Sequence, residues 1–325
     1  MPALLDRRLI FVTGKGGVGK STVATALGLV AARRGLRTIV AELASQSRVT
    51  RTFERESAPF EEVELAERLY AISIDPQSAM EEYLRVKTGA VGQALGSSRL
   101  FGALAMATPG MRELLSIGKA WELAQLERRT EGAGAYDLVI VDSPATGHGA
   151  GLLRTPRSFA EMARVGPIAH QAQAIATTIA DPGFTAVVAV TTAEEMPVNE
   201  TLWLAGELAE QQLSLETTIV NALYPPRFSA AEAEALTRAR DRAGGAAGEA
   251  ALETVLAQHG RSEAQREQLA RLCEGLAQSA IELPFLFCDR IGPRELELLA
   301  DALRSGLERH GLEPGVPAAD RRDGG

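Results

Sequence analysis

The stretch Gly14-Lys15-Gly16-Gly17-Val18-Gly19-Lys20-Ser21 constrains the fold more than any other part of the chain. It fits the phosphate-binding pattern G-x-x-x-x-G-K-[ST], with an apolar run at 9–12 before it and a helix-forming run at 21–34 after it. Strand, loop and helix thus come in the order such a loop needs. Glycines at 14, 16, 17 and 19 remove side chains where backbone must approach phosphate, and they permit the dihedral angles that turn N–H groups inward. Helix onset adds a positive dipole end, Lys20 can reach the β- and γ-phosphates, and the Ser21 hydroxyl is placed to ligate magnesium. Val18 and Thr22 complete the expected nucleotide-binding stretch. A tight strand-to-helix turn without a ligand would need neither Lys20 nor Ser21.

Further along, short β-branched runs alternate with longer helical patterns, the signature of a parallel sheet covered by helices. Strands are predicted at 9–13, 37–43, 69–75, 136–142, 185–192, 216–222 and 279–286. Helices are predicted at 20–34, 77–88, 110–129, 156–180, 197–213, 229–242, 249–277 and 293–310. The expected class is α/β, a mostly parallel central sheet of about seven strands with helices on both faces. Residues 1–310 read as one P-loop domain with helical insertions near 77–129 and 156–180. The tail 311–325 carries Pro, Gly and charge without periodicity and reads as disordered. No second phosphate loop or internal repeat is evident.

With 46% hydrophobic and 23% charged residues the chain resembles an ordinary globular protein, not a disordered or fibrous one. Its net charge of −8 argues against nonspecific nucleic-acid binding. The best basic cluster, Arg33, Arg34 and Arg37, sits where a helix ends and cations favour the dipole. Two cysteines, Cys273 and Cys288, exclude a disulfide scaffold and a CxxC metal pair. With no apolar stretch of signal-peptide or transmembrane length, the expectation is a cytoplasmic protein without stable membrane insertion or a nucleic-acid partner.

A second constellation is the apolar run 136–141 ending in Asp142, followed by Ser143-Pro144-Ala145-Thr146-Gly147-His148-Gly149. A carboxylate at the C-terminal end of a buried parallel strand lies in the crevice where ligands bind. Asp142 is therefore expected to orient magnesium through water. Glycines at 147, 149 and 151 would make the next loop a mobile switch for the γ-phosphate.

The GKGGVGKS string resembles the deviant Walker A motif of the ArsA, MinD, ParA and nitrogenase iron-protein group. That resemblance makes Lys15 an intersubunit lysine, contacting nucleotide held by the facing subunit. Asp142, Ser143, Thr146, Gly147 and His148 fit D-[ST]-x-x-T-G-H, which resembles switch II of the ArsA family and its tail-anchored-protein-targeting branch. Asn221 in Ile219 to Pro225, and Leu283-Pro284, are similar to family segments lining the adenine. The resemblance spans roughly 9–300. Asn221 lacks the following K-x-D of guanine-specific proteins, so the expected cofactors are ATP and Mg2+.

One segment departs from the family. The family's Asp-Pro-Ala-His, whose Asp positions the attacking water, stands nine residues before a Phe; counting back from Phe53 gives Ala44. Glu42 lies two residues earlier, and residues two apart on a strand share a face, so Glu42 could point into the site. It could equally be a ribose or magnesium contact, or be solvated. The resemblance implies an ATPase with Lys15, Lys20 and Asp142 as catalytic residues and, on strand parity alone, Glu42 as the candidate to replace the missing Asp; the alternative is a hydrolysis-deficient nucleotide-binding scaffold for a paralogous ATPase. Either needs a partner, as homodimer or heterodimer. The targeting branch also has a Met-rich apolar groove, which would suit an apolar client or membrane partner. Here Met106, Met111, Leu114, Leu115, Gly118 and Trp121 form one candidate face. Phe159, Met162, Val165, Ile168, Ala172, Ile175 and Ile179 form a stripe that serves either the core or such a groove.

Overall fold

The computed structural model describes residues 3–43, 47–56, 58–96, 108–129, 133–144, 149–163, 166–240 and 245–312. Eight strands form one sheet: β1 (Leu9–Thr13), β2 (Thr38–Leu43), β3 (Val63–Ala66), β4 (Leu69–Ile74), β5 (Leu138–Asp142), β6 (Thr185–Thr192), β7 (Leu215–Leu223) and β8 (Ile281–Pro284), in the order β3-β4-β2-β5-β1-β6-β7-β8. All pairings are parallel except β3 with β4. The class is the α/β one expected, with one strand more than the seven predicted. The extra strand, β3, is four residues long, carries Glu64 and joins β4 through Glu67 and Arg68, with Arg68 in the left-handed region at φ 62°. No Gly, Asn or Pro marks that turn, so the usual hairpin signal is missing.

The helices are α1 (Lys20–Arg33), α2 (Arg48–Thr52), α3 (Pro76–Gly96), α4 (Met111–Leu123), α5 (Gly149–Ala163), α6 (Pro167–Ala180), α7 (Glu195–Glu210), α8 (Ala230–Arg240), α9 (Ala246–Leu276) and α10 (Pro293–Arg309). The single helix predicted at 156–180 is two, because Pro167 supplies no N–H to continue α5 and is well suited to begin α6. Gly149 and Gly151 lie in the first turn of α5 instead of in a mobile loop, which corrects that expectation; Gly147 and the 145–148 segment are outside the described residues, as is the tail from 313 onward. Helix α4 stops at Leu123, short of the predicted 129.

Alternation along the strands splits the core into two layers. Ile10 and Val12 of β1 face the layer under α1 and α10, while Leu9 and Phe11 face the layer under α4, α5 and α6. Helix α10 buries Leu296, Leu299, Ala300, Leu303 and Leu307, an i, i+3, i+4, i+7 stripe that packs on α1. Each fully buried leucine contributes about 1.5–3 kcal/mol of transfer free energy. Of the apolar stripe at 159–179, Phe159, Ala172, Ile175 and Ile179 are core, whereas Met162 and Ile168 are exposed. Val165 and Met106 lie outside the described residues. Arg33 is ion-paired with Glu297 and Asp301, and the Arg37 guanidinium lies over the rings of Tyr70 and Tyr136, so these two members of the basic cluster are engaged within the fold.

Candidate nucleotide site

Strand order places β5 between β1 and β2, so the C-terminal ends of three neighbouring parallel strands meet at one crevice. From β1 comes the glycine loop, from β5 comes Asp142, and from β2 comes Glu42, which lies opposite Asp142 in the strand register. A polar cavity of about 340 Å³ opens there, lined by Gly17, Gly19, Lys20, Ser21, Thr22, Glu42, Arg48 and Asp142 among others. Gly14, at φ 140°, would drive a Cβ into the Val190 carbonyl, and Gly19, at φ 92°, would drive one into the Asn221 amide. Both positions therefore require glycine.

Lys20 donates from Nζ to the Lys15 carbonyl at 2.8 Å, curling over the loop it closes. Burial pushes its ammonium below the ordinary value, against the pull of Asp142. Ser21 Oγ donates to Asp142 Oδ2 at 2.5 Å, so the two residues expected to hold magnesium are in contact. The other oxygen, Asp142 Oδ1, is buried without a hydrogen-bond partner, and burial raises this carboxyl above its usual range. A divalent cation or its water would satisfy that oxygen, so the donor set fits magnesium. Among the described residues no group of three or more His, Cys, Asp and Glu could hold a metal, so the remaining ligands would come from phosphate and water.

Glu42 is 1% exposed. Its Oε1 accepts the Arg48 N–H at 2.8 Å and its Oε2 has no partner. Burial raises the carboxyl to about 7, against hydrogen bonds from the Arg48 and Val49 amides. Position 44 lies outside the described residues. The sign of the pH effect follows: a folded value above the unfolded one means the native state holds the proton longer, so this group costs stability as pH rises from the ordinary carboxylate range to about 7. For nucleotide-free protein, Glu42→Gln is expected to gain about 3 kcal/mol over wild type on going from pH 4 to pH 8. Urea melts at the two pH values check it; a pH-independent difference refutes the raised value.

Lys15 is paired with Glu200 of α7 at 2.8 Å, the side chains 30% and 37% exposed. Asn221 donates from Nδ2 to the Val18 carbonyl at 3.0 Å, and Pro284 sits at the end of the neighbouring strand β8 beside Leu223. Asn221 thus flanks the loop on the side away from Glu42, Pro284 lies further out at the sheet edge, and neither is among the residues lining the cavity. Sequence reasoning passed over Arg48 and Glu200, since a lone charged residue in a loop or on a helix carries no signal of its own.

A glycine loop entering a helix beside a strand-terminal aspartate, on a parallel sheet, defines a phosphate-loop nucleotide-binding protein. The chain belongs to the ArsA-type family described as anion-transporting ATPase, whose model matches residues 7–168 and 159–242. It is 32% identical to the ATPase BagA of Mycobacterium tuberculosis over 301 residues, covering 85% of this chain and 87% of that protein. It is also similar to the ATPase GET3 of Candida glabrata, 25% identical over 257 residues and covering 67% of this chain and 73% of that one. A nucleotide-hydrolysing ATPase is what this family membership supports.

A second cavity, of about 300 Å³ and largely apolar, lies among α3, α4 and α6. Met111, Leu114, Leu115, Gly118, Ile168 and Ile175 line it. Trp121 turns away, donating its indole N–H to Thr178 at 2.9 Å. Among the described residues no helix is long and apolar enough to cross a membrane.

Proposed function

We propose that the chain is a magnesium-dependent, dimeric ATPase of the cytoplasm, one domain to about residue 310, that couples its nucleotide state to an apolar client or a membrane-protein partner. The observation carrying this reading is the convergence of Lys20, Ser21, Asp142 and Glu42 on one polar cavity. In hydrolysis a water oxygen bonds to the γ-phosphorus, the bond to the β–γ bridging oxygen breaks, and ADP and phosphate leave. Lys20 and the loop amides hold the phosphates, and Ser21 and Asp142 would hold magnesium. When bound, magnesium would neutralise phosphate charge. Glu42, with its raised carboxyl and free Oε2, is placed to orient the water or take its proton. The apolar cavity near α3, α4 and α6 supports the client reading.

Ala44 favours one rival, a nucleotide-binding scaffold with little turnover that supports a paralogous ATPase. Single-turnover hydrolysis at saturating MgATP, for the chain alone and mixed with a paralogue, separates the two. On the ATPase reading Glu42→Gln slows the native protein, Ala44→Asp raises turnover by about 10²-fold, and Glu42→Gln then has little further effect. Tight ATP binding without turnover favours the scaffold; fast native turnover that ignores both substitutions removes Glu42 and position 44 from the mechanism.

Lys15 tests the dimer. An exposed ion pair such as Lys15–Glu200 contributes only about 0.2–1 kcal/mol, so Lys15 can leave it cheaply for a phosphate on a facing subunit. Lys15→Ala is expected to weaken ATP-dependent compaction of the dimer, followed by small-angle scattering, and hydrolysis more than it weakens nucleotide binding by one subunit. If compaction and turnover both match wild type, Lys15 acts only within its own chain.

A further inference from the structure

We infer that Arg48 is a second cation of the nucleotide site, supplied by the chain itself, that engages the γ-phosphate end of the nucleotide and the charge that develops there. The inference rests on the ATPase reading above and assigns a residue that no part of the phosphate-loop pattern contains. Arg48 opens α2 and lines the polar cavity together with Lys20, Glu42 and Asp142. Its backbone is fixed at both polar groups: the N–H donates to Glu42 Oε1 at 2.8 Å and the carbonyl accepts from Thr52 Oγ1 at 3.0 Å. The guanidinium, by contrast, makes no close hydrogen bond or ion pair among the described residues, and its charge acts at longer range on Lys20, Glu42 and Asp142. Two buried carboxylate oxygens in the same cavity, Glu42 Oε2 and Asp142 Oδ1, are also without partners, so the arginine pairs with neither. A fixed backbone carrying a planar cation whose donors make no close hydrogen bond among the described residues, at a polar cavity, is what charge stabilisation in phosphoryl transfer requires. Lys20 lines the same cavity from the glycine loop after β1, whereas Arg48 enters it from the turn after β2. A triphosphate entering between them would meet Lys20 on the loop side and Arg48 on the β2 side, where the terminal phosphate must reach Glu42.

The test measures affinity for a nonhydrolysable MgATP analogue and for MgADP, and single-turnover kcat, on the full chain with wild type, Arg48→Ala and Arg48→Lys. Arg48→Ala is expected to lose about tenfold or more in analogue affinity with MgADP binding within about twofold of wild type, and to lose about 10²-fold in turnover. Arg48→Lys, a point charge without the fork, should recover part of both losses. The melting temperature should stay unchanged, since only the side chain beyond Cβ is removed from solvent-facing space. Equal losses for both nucleotides, or no loss for either, overturn the inference. The comparison of nucleotides needs no turnover, so a wild-type chain that binds but does not hydrolyse sinks the ATPase reading while leaving Arg48 decided by binding alone.

Discussion

Lys20→Ala is expected to weaken MgATP binding by about 100-fold or more, the largest functional effect of any single substitution in the site. A charge-assisted hydrogen bond is worth about 1.5–3 kcal/mol, and this one would act on phosphate in a buried, polar cavity. Lys20 is 7% exposed and, among the described residues, its ammonium donates to the Lys15 carbonyl, a neutral acceptor at 2.8 Å. That carbonyl is a placeholder. Burial disfavours the ammonium in the nucleotide-free state, and the nearby Asp142 charge offsets only part of the cost. Phosphate would relieve both, so much of the binding free energy at this wall passes through one side chain. Lys20→Ala should leave the fold intact, because the loop is held by glycine dihedrals and by the Asn221–Val18 bond, neither of which involves Lys20. Isothermal titration with MgATP, alongside a melt to show native stability, makes the comparison. Affinity within about threefold of wild type would mean phosphate binds elsewhere.

The phosphate loop and Asp142 were legible because each is a short, contiguous pattern whose chemistry demands particular residues at fixed spacing. Glu42 was half legible. Strand parity put it on the face of position 44, and the register opposite Asp142 places it in the crevice, but its burial and its bond to the Arg48 amide depend on how the chain turns after β2. Arg48 was illegible for the same reason: an arginine six residues past a strand-end glutamate can point anywhere until that turn is known. Two errors in the fold trace to weak punctuation. The antiparallel β3 has a turn of Glu67 and Arg68 with no turn-forming residue, and the start of α5 is made of Gly149, Ala150 and Gly151, residues that a propensity argument assigns to loop. Helix α5 forms there because Ala150, Leu152 and Leu153 are buried against the sheet, tertiary packing that outweighs the cost of two glycines. The apolar stripe at 159–179 held the core residues Phe159, Ala172, Ile175 and Ile179 but was read with the wrong continuity, since its periodicity runs on past the start of a new helix at Pro167.

Lys119→Ala is expected to destabilise the protein by about 3–5 kcal/mol, because it would remove the cation shared by two buried carboxylates. Lys119 Nζ lies 2.9 Å from both oxygens of Glu82 on α3 and 2.9 Å from Glu122 Oε2 on its own helix, α4. The three side chains are 3%, 7% and 1% exposed. The network continues through Arg128, which is 3.0 Å from Glu122 Oε1 and 2.5 Å from Glu62, to the Tyr136 hydroxyl just before β5. It joins α3 and α4 to the sheet where the apolar cavity opens, and the ammonium also sits 5.0 Å from the centre of the Phe60 ring. Burial pushes the Glu122 carboxyl up, but Lys119, the Arg129 amide and Arg128 outweigh it and hold the group below its ordinary value. A depressed folded value contributes stability that is present above the unfolded value and is lost as pH falls through the folded one. Removing Lys119 takes away the largest of the pulls that lower this carboxyl, so the deficit of Lys119→Ala should be largest near neutral pH and shrink as pH falls through the carboxylate range. At about 2 °C per kcal/mol for a chain of this size, the melting temperature should drop by roughly 6–10 °C at pH 7. Neutralising the two carboxyl partners in the same protein, as Lys119→Met with Glu82→Gln and Glu122→Gln, should restore much of the loss, since an apolar or neutral set of similar volume can match a buried ion network. A Lys119→Ala melt within about 2 °C of wild type, or a deficit that does not change between pH 4 and pH 7, would show that water reaches these charges and that α3 and α4 are held to the sheet by their apolar faces alone.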